Sequence, residues 1–166
     1  MKTTLTYLMD VSLLQYFLFA DPLEIGSPAP KVEAINDAGE TVDLGAALAK
    51  GTSLVFFYPK AMTSGCTKQA CSLRDAWDEL QARDLQIFGV STDKAELQAE
   101  FREKHTLPFT LIADTEGKVC QAFGKGRYSR QAYIFIDGTL VWRDIKGATS
   151  EQASEVLTAL DQLEAN

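Results

Sequence analysis

Apolar residues change their spacing several times along this chain, and the changes mark its elements. Ser53-Leu54-Val55-Phe56-Phe57-Tyr58 is a short, nearly unbroken apolar run rich in β-formers and closed by Pro59, the pattern of a strand buried on both faces. From Thr67 to Ala82 the apolar positions are Ala70, Leu73, Trp77 and Leu80, which is helical spacing, and Arg83-Asp84 closes the segment. A strand follows from Leu85 to Val90, then a helix from about Lys94 to Lys104, a strand over Phe109 to Ile112 and a short helix from Gly117 to Phe123. Near the start, Val32 to Ile35 and Glu40 to Leu44 flank an Asp37-Ala38-Gly39 turn and predict a small hairpin. A second hairpin, Ala132 to Ile136 and Leu140 to Arg143 about Asp137-Gly138, precedes a helix from about Ser150 to Leu163. Strands alternating with helices imply an α/β fold: a central mixed β-sheet flanked by helices on both faces, with an N-terminal β-hairpin.

From Asp21 onward there is no repeat, low-complexity stretch or Pro/Gly/Ser linker, so residues 21–166 are expected to form a single domain. The first twenty residues, MKTTLTYLMDVSLLQYFLFA, place one lysine before an apolar stretch ending at Ala20. They read as a secretory signal peptide, which would make the protein exported or periplasmic, or as an amphipathic N-terminal helix of a cytoplasmic one. Asp10 and the missing small residue two places before Ala20 weigh against the signal peptide; the start of the globular pattern only after residue 22 favours it slightly. The uninterrupted apolar run is far shorter than the ~20 residues that cross a bilayer, so no stable membrane span is expected.

Composition narrows the partners. With 23 acidic against 16 basic residues, a net charge of -7 and no Lys/Arg cluster, the chain lacks the footprint of a protein that neutralises phosphates, and no nucleic acid is expected. Three cysteines are too few for a disulfide framework, and with a single histidine they make no convincing zinc set, so no metal is expected. Each thiol is therefore read on its own. Cys120, in the apolar pattern Val119-Cys120-x-Ala122-Phe123, reads as a packing residue. His105, between Lys104 and Thr106, reads as solvent-exposed near a helix end, and Glu96, Glu100 and Glu103 mark a solvated helix face. Cys66 differs, because it follows a buried strand and opens a helix, where free backbone N–H groups and the helix dipole favour an anion. Its alternatives are a reactive thiolate and a small apolar residue in a tight turn. Thr63 can place a hydroxyl beside the sulfur, and Gly65 lets backbone amides approach whatever the sulfur binds.

The pattern Pro59-x-x-x-Thr63-x-x-Cys66, set in FYPKAMTSGCTKQACSLRD, resembles the active-site signature of the peroxiredoxins, and Cys71 five residues on resembles their Q-type branch, the bacterioferritin comigratory proteins. The likeness runs from about Leu23 to Leu163 and includes IGSPAP, GVSTD, LPFTLIAD and RQAYIF. It implies a thioredoxin-like fold and reduction of hydrogen peroxide and organic hydroperoxides without metal or organic cofactor. Carried over, Cys66 would be the peroxidatic cysteine, Thr63 its hydroxyl partner, Cys71 the resolving cysteine that closes an intramolecular disulfide, Pro59 a wall of the pocket and Gly65 part of the substrate-binding loop. Arg130, chosen over Arg127 because Gln-Ala-Tyr follows it, would complete the site. A hydroperoxide substrate, thioredoxin or another thiol reductant, and a monomer are implied with it. Two departures stand out: Ser64 where the family usually has proline, and Ala61-Met62 where polar or acidic residues are usual. The chemistry of the residues agrees, since attack by a Cys66 thiolate on a peroxide oxygen leaves an alkoxide or hydroxide that Thr63, backbone N–H groups and the fixed fork of Arg130 can meet. The resulting sulfenic acid condenses readily with a nearby thiol. The runner-up readings are a thiol-disulfide oxidoreductase, against which the four residues between Cys66 and Cys71 argue, and a non-catalytic thioredoxin-like binding domain in which the two cysteines form a clip or a weak metal site.

Overall fold

A computed structural model describes residues 21–165. The stretch read as a signal peptide or amphipathic helix lies outside the described residues. Among these, seven strands form one sheet: β1 (Glu33–Asn36), β2 (Thr41–Asp43), β3 (Thr52–Phe57), β4 (Leu85–Ser91), β5 (Thr110–Ala113), β6 (Gln131–Ile136) and β7 (Thr139–Asp144). Their order across the sheet is β2-β1-β5-β4-β3-β6-β7. The pairs β3–β4 and β4–β5 are parallel, and the remaining pairs are antiparallel, which makes the sheet mixed as the pattern predicts.

β3 lies at the centre and its alternation divides the core. Leu54, Phe56 and Tyr58 point to one apolar cluster, together with Cys66, Ala70, Leu73, Phe101, Val156 and Leu160. Val55 and Phe57 point to the other, with Leu44, Leu48, Val119, Cys120, Phe123 and Tyr133. The helices α2 (Ser64–Asp75), α3 (Trp77–Gln81), α4 (Ala95–His105) and α6 (Gln152–Glu164) thus cover the first face, and α1 (Leu44–Leu48) and α5 (Lys118–Ala122) the second. Among the described residues no helix is long and apolar enough to cross a membrane.

Three local differences from the pattern have physical reasons. The helix expected over 67–82 starts three residues earlier, at Ser64, and breaks at Ala76, whose backbone (φ -96°, ψ 14°) leaves the helical region. The break redirects Trp77 onto Phe109, with ring centroids 6.2 Å apart, while Leu80 stays buried. A short helix, α1, follows β2 unannounced by any long periodicity; its Asp43 caps the Ala46 N–H at 2.8 Å, and Leu44 and Leu48, one turn apart, both bury. His105 is only half exposed: its ring meets Phe101 edge-on at 5.2 Å and its carbonyl accepts a bond from Arg74 Nη1 at 2.8 Å. Burial holds this imidazole below its ordinary pKa.

Gly89, in the middle of β4, shows how closely the first layer packs. A Cβ there would lie 2.7 Å from both Leu111 Cδ2 and Phe56 Cζ. Gly89→Ala should therefore cost about 1–3 kcal/mol of stability by overpacking; an unchanged midpoint in urea denaturation would refute this account of the layer.

Candidate active site

The site grows from the C-terminal end of β3. Tyr58 continues that strand into the first core, where its hydroxyl donates to Gln98 Oε1 on α4. Gln98 Nε2 in turn donates to Ser91 Oγ and to the Ile112 carbonyl, both at 2.9 Å. Burial drives the Tyr58 phenol far above its ordinary pKa, so it is a neutral donor throughout the physiological range. Ser91 Oγ donates to Asp93 Oδ2 at 2.8 Å, and the same carboxylate oxygen accepts the Ala61 N–H at 2.7 Å. The GVSTD segment after β4 thereby clamps the loop that leads from β3 to α2. Next to the clamp, Met62 holds a left-handed backbone with φ 65°, a conformation that costs a residue with a side chain of order 1–3 kcal/mol and persists only when its surroundings impose it.

Thr63 then takes the N-cap position of α2 with an extended backbone, but its side chain does not cap the helix. Its hydroxyl donates to the Lys60 carbonyl at 2.8 Å. The first N–H groups of α2 are left without a side-chain cap, and they are the groups that an α-helix cannot satisfy internally. Cys66 lies in that first turn, 1% exposed, beneath this end of the helix.

Arg130 comes from the far end of the chain. In the antiparallel register of β3 and β6, Phe57 faces Gln131, so the residue before Gln131 is placed beside the exit of β3. From there Arg130 Nη2 reaches Cys66 Sγ at 3.4 Å, and Nη1 donates to Gln69 Oε1 and lies 3.4 Å from the Gly65 carbonyl. Gly65 also has a steric use: a Cβ on it would sit 3.1 Å from Arg130 Nη2, so its bareness leaves room for the guanidinium. Gly147, with φ 88°, closes the other side; a Cβ there would meet Arg130 Cβ at 3.0 Å and the Arg130 carbonyl at 3.1 Å. Asp144 holds that loop by accepting the N–H groups of Lys146, Gly147 and Ala148.

The structure brings Cys66, Gly65 and Arg130 together, with Thr63 three residues before the sulfur and Pro59, half-buried, at the start of the loop. Arg127 is elsewhere, donating to the Thr115 carbonyl at 2.6 Å. Cys71 is free and half-buried on α2, facing a groove shared with Ala153 and Leu157 of α6. Cys120 lies in the core on the opposite face of the sheet, with Lys125 Nζ 3.5 Å from its sulfur, and burial pushes its thiol up to about 11. Sequence reasoning missed Gln69, Asp93 and Gly147. Gln69 is polar yet wholly buried at helical spacing from Cys66, which is the one trace it leaves in the sequence.

A model of the AhpC/TSA family matches residues 25–143. The chain belongs to the AhpC/TSA family, among the peroxiredoxins. It is 47% identical over 104 residues to peroxiredoxin Bcp of Escherichia coli, an alignment covering 63% of this chain and 66% of that one, and 38% identical over 156 residues to peroxiredoxin Bcp of Bacillus subtilis, covering 85% and 97%. Among solved structures, peroxidoxin BcpB of Mycobacterium tuberculosis matches with a TM-score of 0.78 at 28% identity over 85% of this chain and 98% of that one. Peroxiredoxin Q of Xanthomonas campestris matches with a TM-score of 0.76 at 25% identity, covering 85% and 97%. The mixed sheet with helices on both faces is thus the thioredoxin-like fold of this family.

Within this peroxiredoxin the two thiols of α2 differ in surroundings. Burial raises Cys71 above the ordinary thiol value of 9.0, with Arg74 opposing and Asp75 adding to the shift. An acid whose charged form is disfavoured stays protonated to higher pH, so Cys71 is a thiol at neutral pH while α2 is wound. In a Cys66→Ser protein, iodoacetamide labelling of Cys71 should rise with a midpoint above pH 9.0; a midpoint at or below that value would contradict the burial argument.

Proposed function

We propose that this chain is a thiol-dependent peroxidase that reduces hydrogen peroxide and organic hydroperoxides at Cys66. The observation that carries the reading is the buried Cys66 sulfur at the opening of α2 with the Arg130 guanidinium 3.4 Å away. The Cys66 thiolate attacks the terminal peroxide oxygen, the O–O bond breaks, and Cys66 becomes a sulfenic acid while the remaining oxygen leaves as an alkoxide or hydroxide and takes up a proton. Arg130 and the uncapped N–H groups of α2 stabilise the charge that develops on that leaving oxygen. Because Thr63 directs its own hydrogen to Lys60, its oxygen serves as an acceptor for the O–H of the incoming peroxide. Relatives named peroxiredoxin support the same reading.

The sulfenic acid then condenses with the Cys71 thiol, releasing water and leaving a Cys66–Cys71 disulfide, the atypical two-cysteine route. Thioredoxin or another dithiol returns both sulfurs to thiols and is itself oxidised. All these groups belong to one chain, so residues 21–166 act as one domain and the enzyme works as a monomer. On the wound helix, five residue steps set the two Cα atoms about 8.6 Å apart, beyond the roughly 4.4–6.8 Å that a disulfide spans. The first turns of α2 therefore unwind after each attack and rewind on reduction, and the same unwinding frees Cys71 from the burial that keeps it protonated. This distance also argues against a static clip between the two cysteines.

Cys66→Ser should abolish peroxide turnover with the fold retained, while Cys120→Ser should leave turnover nearly unchanged; comparable losses from both would overturn the assignment. Trapping of a peroxide-dependent sulfenic acid at Cys66 with dimedone separates peroxidase from oxidoreductase and from binding domain. Arg130→Ala should slow the reaction of Cys66 with peroxide by about 10²–10³-fold, the loss expected for one preorganised donor, with Arg127→Ala far milder. On oxidation, amides 65–74 should lose hydrogen-exchange protection while those of 54–58 keep it, and protection unchanged through α2 in the disulfide form would refute the unwinding step.

A further inference from the structure

Two wholly buried glutamines link Arg130 to the last helix. Gln69 Oε1 accepts from Arg130 Nη1, and Gln69 Nε2 donates at 2.8 Å to Oε1 of Gln152, the first residue of α6. Both side chains are 0% exposed. The direction of this chain is imposed by the arginine. A guanidinium has only donors, so Gln69 must turn its oxygen toward Arg130 and its NH2 toward Gln152, and Gln152 must answer with its oxygen. That leaves Gln152 Nε2 buried with no hydrogen-bond partner. An orphaned buried donor carries a desolvation penalty, so the pair is poorly arranged for stability alone; apolar side chains at both 69 and 152 would avoid it, whereas one at 152 alone would move it to the Gln69 NH2.

We propose that Gln152 is a positioning residue for the peroxide reaction: it fixes the amide of Gln69, and through it the guanidinium of Arg130, in the orientation that meets the oxygen leaving Cys66. The proposal rests on the reading of Cys66 as the peroxide-reacting thiol. Without an acceptor at 152, the Gln69 NH2 is unpartnered, its amide is free to turn, and Nη1 of Arg130 loses its fixed acceptor. The guanidinium then samples orientations in which Nη2 no longer faces the sulfur, and reaction geometry suffers although no group that touches peroxide has been removed. Gln69 also lies between Cys66 and Cys71, so the unwinding that forms the disulfide takes Gln69 away from Gln152 and releases the first turn of α6 from this buried tie to α2.

The test compares Gln152→Met with the wild type in the full chain. Two rates are measured on the reduced protein: oxidation of Cys66 by hydrogen peroxide, and its alkylation by iodoacetamide, which has no leaving oxygen for Arg130 to meet. Gln152→Met should lower the peroxide rate constant about tenfold while alkylation stays within about twofold. Gln152→Glu, which keeps an acceptor at the same reach, should restore the peroxide rate. In a Gln69→Leu background the further change to Gln152→Met should have no added effect on the peroxide rate, since both act through one link. Gln152→Leu serves the same comparison if methionine at this site unfolds the chain. A peroxide rate in Gln152→Met within twofold of wild type, a parallel fall of both rates, or additive losses in the double variant would overturn the proposal. A wild-type protein that forms no sulfenic acid at Cys66 would instead overturn the reading beneath it, and the proposal with it.

Discussion

The contact between Arg130 Nη2 and Cys66 Sγ depends on a register, and the rest of the site depends on that contact. β6 runs antiparallel to β3 with Phe57 opposite Gln131, which sets residue 130 beside the strand exit where α2 begins. Side chains alternate along a strand, so a shift of one residue in this pairing would turn β6 inside out and send the arginine away from α2. The register is held by burial on both sides of the sheet: Ala132 and Ile134 belong to one core, Tyr133 and Phe135 to the other. Slipping would expose or mismatch all four at once. The chemistry at the sulfur is thus secured by apolar packing some distance from it.

Around that contact the structure combines a rigid frame with one weak element. The loop before α2 is tied to Asp93, and the loop behind Arg130 is tied to Asp144, each carboxylate accepting backbone N–H groups that would otherwise be unmet. Gly65 leaves room for the guanidinium, and Gly147 for the backbone and Cβ of the same arginine. α2 itself starts without a side-chain cap, carries a strained Met62 just ahead of it and breaks after Asp75. A helix whose first turn has no side-chain cap opens locally at less cost than the sheet below it, and this is the property that two cysteines on one helix require if they are to meet.

The two buried thiols share their degree of burial and differ in the groups around them. Cys66 and Cys120 are each 1% exposed. Cys66 sits in the first turn of a helix beside a permanently charged donor, whereas Cys120 sits on a short helix against Lys125 in the second core, where burial raises its pKa. Cys71, half-buried on the same helix as Cys66, is different again, its thiol pKa raised by burial with Arg74 opposing the shift.

The sequence by itself determined the type and order of most elements, because these follow from local spacing. The apolar run of β3, the period of α2 and the two hairpins are short-range patterns, and the segment from Pro59 to Cys71 keeps its signature within thirteen positions. The choice of Arg130 over Arg127 comes from the family resemblance, through the Gln-Ala-Tyr that follows it. Only the tertiary structure decided which groups meet. Gln69 becomes a partner of Arg130 and Gln152 through strand pairing and helix docking that bring positions 61 and 83 residues away against it. Asp93 reaches Ala61 because β4 lies parallel to β3 and ends beside it. The Thr63 hydroxyl turns to Lys60 because the loop between them is bent by a left-handed Met62, a conformation that no propensity of methionine predicts. Buried polar links and strained backbone are set by the packing around them, and that packing joins segments far apart in the chain.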